Sequence, residues 1–174
     1  LLAGVKLKED EFSELLQLVG RFAFRYKNIC RGNISRPQKI YLKTAREIRA
    51  GTYDFEQLQA DLQFEMDRMA ADGVFEAQLA EMLIYTSGAG KRGLLRYFFS
   101  VLNDYWPGLK AKAAALGVNK EVVFNWDLVD IEHIYPQTPV PPQWPVDPEM
   151  TARGDNFENL TLWLRSENRS EKNA

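Results

Sequence analysis

From Lys8 to about Asn28 the apolar positions Phe12, Leu15, Leu16, Val19, Phe22, Ala23 and Tyr26 recur at the spacing of one helix face, and Glu9, Asp10 and Glu11 suit its positive N-terminal end. The pattern predicts an amphipathic helix broken by Gly32-Asn33. A second helix is expected from Ser35, whose side chain can cap it, with Pro37 tolerated in the first turn, a buried stripe of Ile40, Tyr41, Thr44, Ala45 and Ile48, and a stop at Gly51. Asp54 with Gln57 three residues on resembles a capping box and opens a third helix with Phe55, Leu58, Leu62, Met66 and Met69 on one side. Beyond the Asp72-Gly73 turn, a fourth helix runs through Phe75, Leu79, Met82 and Leu83. A fifth, Lys91 to Trp106, buries Leu94, Leu95, Phe98, Val101, Leu102 and Tyr105 before Pro107-Gly108, and a shorter helix leads to Gly117.

After Gly117 the helical stripe disappears. Val122-Val123-Phe124 and the run from Trp126 to Ile134 are rich in β-branched and aromatic residues, so at least one strand is expected to end at His133. Six of the eight prolines fall between Pro136 and Met150, which predicts an irregular loop. Asn159 to Leu164 can return antiparallel to the first strand, and Arg165 to Ala174 reads as the start of a helix. The expected fold is mainly α: a helical bundle over residues 1–117, then a small α+β module over residues 118–174. Both ends read as cut from something longer, with the last helix incomplete.

Composition narrows the function classes only modestly. Hydrophobic residues make up 45% and charged residues 26%, ordinary for a globular domain. No apolar stretch approaches the roughly 20 residues that span a bilayer, so a cytoplasmic protein is expected. One cysteine, Cys30, excludes an internal disulfide, and with one histidine it cannot complete a structural zinc site. Net charge is −2, yet residues 1–50 carry 11 Lys/Arg against 5 Asp/Glu while residues 51–90 carry 1 against 8. The basic third, including Arg46 and Arg49, offers a surface that a phosphate backbone can follow or a merely solvated face. Ser87-Gly88-Ala89-Gly90-Lys91 is not a phosphate loop, because Tyr85 occupies the first glycine position and Arg92 the Ser/Thr position. It reads as an interhelical loop with Lys91 and Arg92 as candidate DNA contacts.

The candidate chemistry centres on the single histidine, in Asp130-Ile131-Glu132-His133-Ile134-Tyr135-Pro136-Gln137. Imidazole titrates near neutrality and can take a proton from water, provided its other nitrogen is fixed by an acceptor. Glu132 precedes it, Asn159 opens the second apolar run, and Asn168 follows in Arg165-Ser166-Glu167-Asn168-Arg169. An acid-His pair, a middle Asn and a final Asn in strand, strand and helix settings resemble the HNH (His-Me finger, ββα-metal) nucleases. Glu-His-Ile-Tyr-Pro-Gln followed by Glu158-Asn159-Leu160-Thr161-Leu162 is similar to the C-terminal HNH domain of GmrSD-type modification-dependent restriction endonucleases, whose helical connector the earlier helices, with Arg96-Tyr97-Phe98-Phe99, resemble more loosely.

The resemblance implies a DNA endonuclease of restriction or antiviral-defence type. In it His133 is the general base, Asn159 holds the His-bearing segment across the loop, and Glu132 and Asn168 ligate a divalent metal. One carboxylate and one amide oxygen suit Mg2+ or Mn2+ better than zinc, although Asp127 and Asp130 lie near enough to replace Glu132 as ligand. Arg165 and Arg169 flank Asn168 as candidate phosphate contacts. The implied partners are double-stranded, base-modified DNA and an N-terminal ParB-like nucleotide-hydrolysing domain. With one site per chain, cutting both strands calls for a homodimer or sequential nicking. The rival reading is a non-catalytic DNA- or protein-interaction module that retains a degenerate HNH element. A serine hydrolase is a distant alternative, lacking a nucleophile-elbow pattern.

Overall fold

In the computed structural model, which describes residues 1–86, 88–105, 125 and 127–171, the chain divides into two units, Leu1–Leu79 and Ala80–Ala174. The stripe that begins at Phe12 lies on α1 (Glu9–Phe22), where the Lys8 backbone N–H donates to the Glu11 carboxylate and so satisfies one donor at the helix start. The helix continues into a wider π-helical segment, Ala23–Ile29, which brings Phe22, Tyr26 and Ile29 inward together. Phe22 and Tyr26 stack with ring centroids 4.8 Å apart. The Tyr26 hydroxyl donates to the Asn33 carbonyl at 3.0 Å, fastening the turn that follows.

Helix α2 spans Ser35–Ala50, but Ser35 is its first residue rather than its cap. Asn33 takes the local capping role instead, its side-chain oxygen accepting from the Ser35 N–H at 2.8 Å. Thr44 and Ile48 are buried, and the helix ends where Gly51 adopts a left-handed backbone with φ 73°. Asp54 caps α3 (Phe55–Met69) by accepting from the Gln57 N–H, yet the Gln57 side chain turns to Asp61, so the expected capping box is one-sided. The buried stripe of α3 is Leu58, Leu62 and Glu65, while Met69 is exposed. Glu65 tolerates that burial because Arg68 and Arg36 reach it at 2.5 and 3.5 Å. Helix α4 (Asp72–Met82) buries none of its residues fully, and its start is held by Arg25, which bonds the Ala70 carbonyl and the Asp72 carboxylate.

In the second unit, α5 spans Ala89–Tyr105, beginning two residues before Lys91, with Leu95 and Ser100 buried and Leu102 more exposed. Strand β1 (Val129–His133) pairs antiparallel with β2 (Leu160–Leu164), in a register that sets Val129 opposite Leu164 and His133 opposite Leu160. The proline-rich connection is irregular except for α6 (Pro148–Ala152), where Asp147 accepts from the Glu149 and Met150 N–H groups. Pro148 follows that cap, the position where a missing N–H costs nothing. Helix α7 (Arg165–Glu171) leaves β2 directly, so the module runs β, β, α around buried Val129, Ile131, Tyr135 and Leu160. The predicted boundary at 117/118, the short helix before Gly117 and the strand residues Val122-Val123-Phe124 lie outside the described residues. Among the described residues no helix is long and apolar enough to cross a membrane.

The turn after the π-helical segment has no room for a side chain at Gly32, where an added Cβ would lie 2.3 Å from the Tyr26 ring. Tyr26 cannot withdraw without losing its stack on Phe22 and its bond to Asn33. Gly32→Ala is therefore expected to destabilise the protein by roughly 1–3 kcal/mol, the usual cost of overpacking. The urea-unfolding midpoint measures it, and an unchanged midpoint would show that the turn yields freely.

Candidate functional site

Asn159 ends the 3-10 turn Phe157–Asn159 that feeds β2, and it is buried. A buried primary amide must place its two donors and its acceptor, and Asn159 does so on two separate stretches of chain. Its side-chain oxygen accepts from the Tyr135 N–H at 2.7 Å, while its amide donates to the Tyr135 carbonyl at 2.9 Å and to the Gly154 carbonyl at 2.8 Å. Its own backbone carbonyl accepts from the Ile134 N–H at 2.8 Å. The segment just after His133 and the segment just before β2 are thereby fixed to one side chain.

His133 is the last residue of β1. Its Nε2 lies 3.0 Å from Asp155 Oδ1, and that same oxygen accepts from Gln137 Nε2 at 2.8 Å. The Tyr85 ring meets the imidazole edge to face, with centroids 4.9 Å apart. The Tyr85 backbone N–H also donates to the Asp155 carbonyl at 2.7 Å, so one residue borders both members of the pair. The His133 side chain is 11% exposed against 50% for Asp155, so the ring is covered on most sides while its carboxylate partner faces solvent.

Alternation along β1 puts Asp130 and Glu132 on one face of the sheet, and Val129, Ile131 and His133 on the other. On the polar face, Asn168 of α7 contacts the Glu132 carboxylate through its side-chain amide. Asp130 is gripped by Arg165, with Nε on Oδ2 at 3.1 Å and Nη2 on Oδ1 at 2.8 Å, and Arg96 of α5 approaches it at 3.9 Å. Hydrogen bonding to Asp130 raises the Arg165 pKa further; burial lowers that of Arg96, with Asp130 opposing the shift. Asp127 is exposed at the turn before β1, its N–H bonded to the Asn125 side chain. Of the acids in and just before β1, Glu132 meets Asn168.

Among the described residues no group of three or more His, Cys, Asp or Glu side chains is disposed to hold a metal ion. What the polar face offers instead is one carboxylate and one carboxamide in contact, and turning the amide by half a rotation exchanges its nitrogen for its oxygen. Two hard oxygens of that kind fit an octahedral cation whose other positions go to water and phosphate. The donor set fits Mg2+ or Mn2+ and does not fit a zinc site.

The other expected contacts are dispersed. Lys91 and Arg92 are exposed in the first turn of α5, and Arg46 and Arg49 are exposed on α2 in the first unit. Arg165 is engaged with Asp130, and Arg169 lies on α7. Asp155 had no place in the sequence expectation, and Gln137 stood there only as the end of the His133 motif, with no role of its own. Gly154-Asp155-Asn156 reads as an ordinary turn, and only the fold brings it to a histidine 22 residues earlier.

Residues 69–174, more than half of the chain, match the family of GmrSD restriction endonucleases, C-terminal domain, and the chain belongs to that family. No curated protein matches the chain.

Removing the Asn159 side chain would leave the Tyr135 N–H and the Tyr135 and Gly154 carbonyls without their partner in a buried place. Asn159→Ala is therefore expected to destabilise the protein by roughly 2–4 kcal/mol, since each stranded buried group costs on the order of 1–3 kcal/mol and some recover water. A chemical-denaturation curve checks this; a loss below about 0.5 kcal/mol would mean that the loop is held by its backbone bonds alone.

Proposed function

We propose that this chain is a metal-dependent DNA endonuclease domain of HNH type, the C-terminal part of a modification-dependent restriction enzyme of the defence class. Family membership supports the endonuclease class. The observation that carries the finer reading is the meeting of Glu132 with Asn168 on one face of the strand that ends in His133, a strand end held by Asn159.

Phosphodiester hydrolysis needs a deprotonated water in line with the leaving oxygen, and neutralisation of the charge that develops on the phosphate. His133 takes the proton from the water, and its covered ring loses little freedom in doing so. Asn159 keeps the end of β1 against the loop that carries Asp155, so the imidazole meets substrate in one orientation. Glu132 and Asn168 would hold a Mg2+ or Mn2+ ion through a carboxylate and an amide oxygen. When bound, that ion supplies Lewis-acid stabilisation of the phosphate and leaving oxygens. Arg165, fixed by Asp130, steadies α7 and hence Asn168, while Arg169, Lys91, Arg92, Arg46 and Arg49 are the candidate contacts to DNA phosphates. The substrate is double-stranded, base-modified DNA, with a ParB-like nucleotide-hydrolysing domain as the partner.

Two outcomes follow. His133→Ala should lower the metal-dependent cleavage rate by roughly 10²–10⁴-fold with DNA binding nearly intact, the usual contribution of a positioned base. Plasmid nicking measures it, and since no second histidine exists, wild-type activity in the variant would end the HNH reading. Separately, Glu132→Ala and Asn168→Ala should each weaken Mg2+ or Mn2+ binding in calorimetric titration, by roughly 10-fold or more, with thermal stability kept. Unaltered binding in both would remove the metal from this face.

A further inference from the structure

The carboxylate facing His133 determines more than where the ring points. An ionised carboxylate has acceptors only, so a ring nitrogen 3.0 Å from Asp155 Oδ1 must itself carry the hydrogen. In the neutral imidazole the hydrogen on Nε2 leaves the lone pair on Nδ1. We propose that Asp155 is a positioning residue for His133: it holds the proton on Nε2 and makes Nδ1 the atom that accepts the proton of the attacking water. The proposal rests on the reading of His133 as the general base.

The surroundings of Asp155 are built to keep it there. Gln137 donates to the same Oδ1 at 2.8 Å, a second bond that restrains the carboxylate rotamer. Its backbone is pinned on both sides: the Tyr85 N–H bonds the Asp155 carbonyl, and the neighbouring Gly154 carbonyl receives the Asn159 amide. Asn159 also holds both polar groups of the Tyr135 backbone, two residues after His133. One side chain thus sets the distance between the histidine and its carboxylate. The balance of the step is simple: the water loses a proton to Nδ1, the ring becomes a cation with N–H on both nitrogens, and the negative Asp155 facing Nε2 stabilises that charge without taking a proton itself.

The test uses the fact that the chain has one histidine, so its imidazole nitrogens are the only ones in a long-range ¹H–¹⁵N spectrum. At a pH where the ring is neutral, the ¹⁵N-labelled protein should show a protonated-type Nε2 and an unprotonated-type Nδ1. Asp155→Ala should average the two signals, and the near-isosteric Asp155→Asn, whose amide can donate to Nε2, should shift the proton towards Nδ1. In plasmid cleavage both variants should lose roughly 10–100-fold in kcat with little change in KM. Gln137→Ala should give a smaller change of the same sign, and it stands in if Asp155→Ala fails to fold. An unchanged tautomer in Asp155→Asn and Gln137→Ala overturns the proposal while leaving His133 as base. If His133→Ala cleaves DNA like the wild type, the base reading itself fails, whatever the spectrum shows.

Discussion

The hydrogen bonds of one buried amide hold the second unit's chemistry in register. Asn159 joins a strand end and a loop that have no sequence proximity, and it does so with all three of its short-range polar contacts on backbone groups. Backbone partners matter here, because a clamp onto main chain fixes position irrespective of the side chains around it. Without it, the connection from Pro136 to Asn156 would have to be located by its own cap at Asp147, the Tyr135 hydroxyl that bonds the Pro145 carbonyl and the Asp147 N–H, and the short pairing of Ile84 with Asn156. The cap and the Tyr135 hydroxyl order the loop itself, and the Ile84 pairing ties its end to the chain before α5. The clamp then orders the loop relative to the strand that carries His133.

The sheet itself is too small to be stable alone, since a pair of five-residue strands buries little. Its polar face compensates through Asp130, which receives the Arg165 fork from α7 and faces Arg96 from α5. Burial disfavours the charged form of Arg96, and the nearby carboxylate offsets that penalty. Asp130 therefore ties β1 to two helices at once. The same arrangement explains why it differs from Glu132, two residues on and on the same face, whose partner Asn168 offers a neutral amide that can also act as an oxygen donor.

Much of this was legible along the chain because it depends on local periodicity. The stripes of α1, α2, α3 and α5, the Gly51 stop and the antiparallel return of Leu160–Leu164 onto Val129–His133 all follow from spacing and turn chemistry. Departures came where two residues competed for one role. Asn33 outcompeted Ser35 because an Asn side chain two residues ahead reaches the first free N–H before the helix begins. Glu65 replaced Met69 inside α3 because two arginines neutralise it, information that lies on α2 and on the following turn. The short α6 had a readable signal in Asp147-Pro148, a cap followed by proline, hidden within a run whose composition reads as loop. His133, Glu132, Asn159 and Asn168 stand out by resemblance to the HNH motif, and the fold sets Asn168 on Glu132 and Asn159 on the segment after His133. Asp155 does not, since a carboxylate in a glycine-asparagine turn carries no periodic mark and meets His133 only in the fold.

The two faces of β1 impose different demands on one short strand. Alternation sends Glu132 towards α7 and His133 towards Tyr85 and Asp155, so neighbouring residues are oriented by independent supports. Such a division lets each side chain be fixed by partners of its own chemistry, a helix amide for the carboxylate and a carboxylate for the imidazole. Under the proposed function the two must converge on a substrate at the strand end, because along the body of a strand they would stay on opposite sides. β1 ends at His133, and the chain beyond it is drawn away by the bond from the Ile134 N–H to the Asn159 carbonyl and by the side-chain grip on Tyr135. The placement of the strand end and the placement of the clamp are thus one constraint: moving Asn159 by a residue would shift the strand end, and with it the point at which the chain carrying Glu132 and His133 turns away from the sheet.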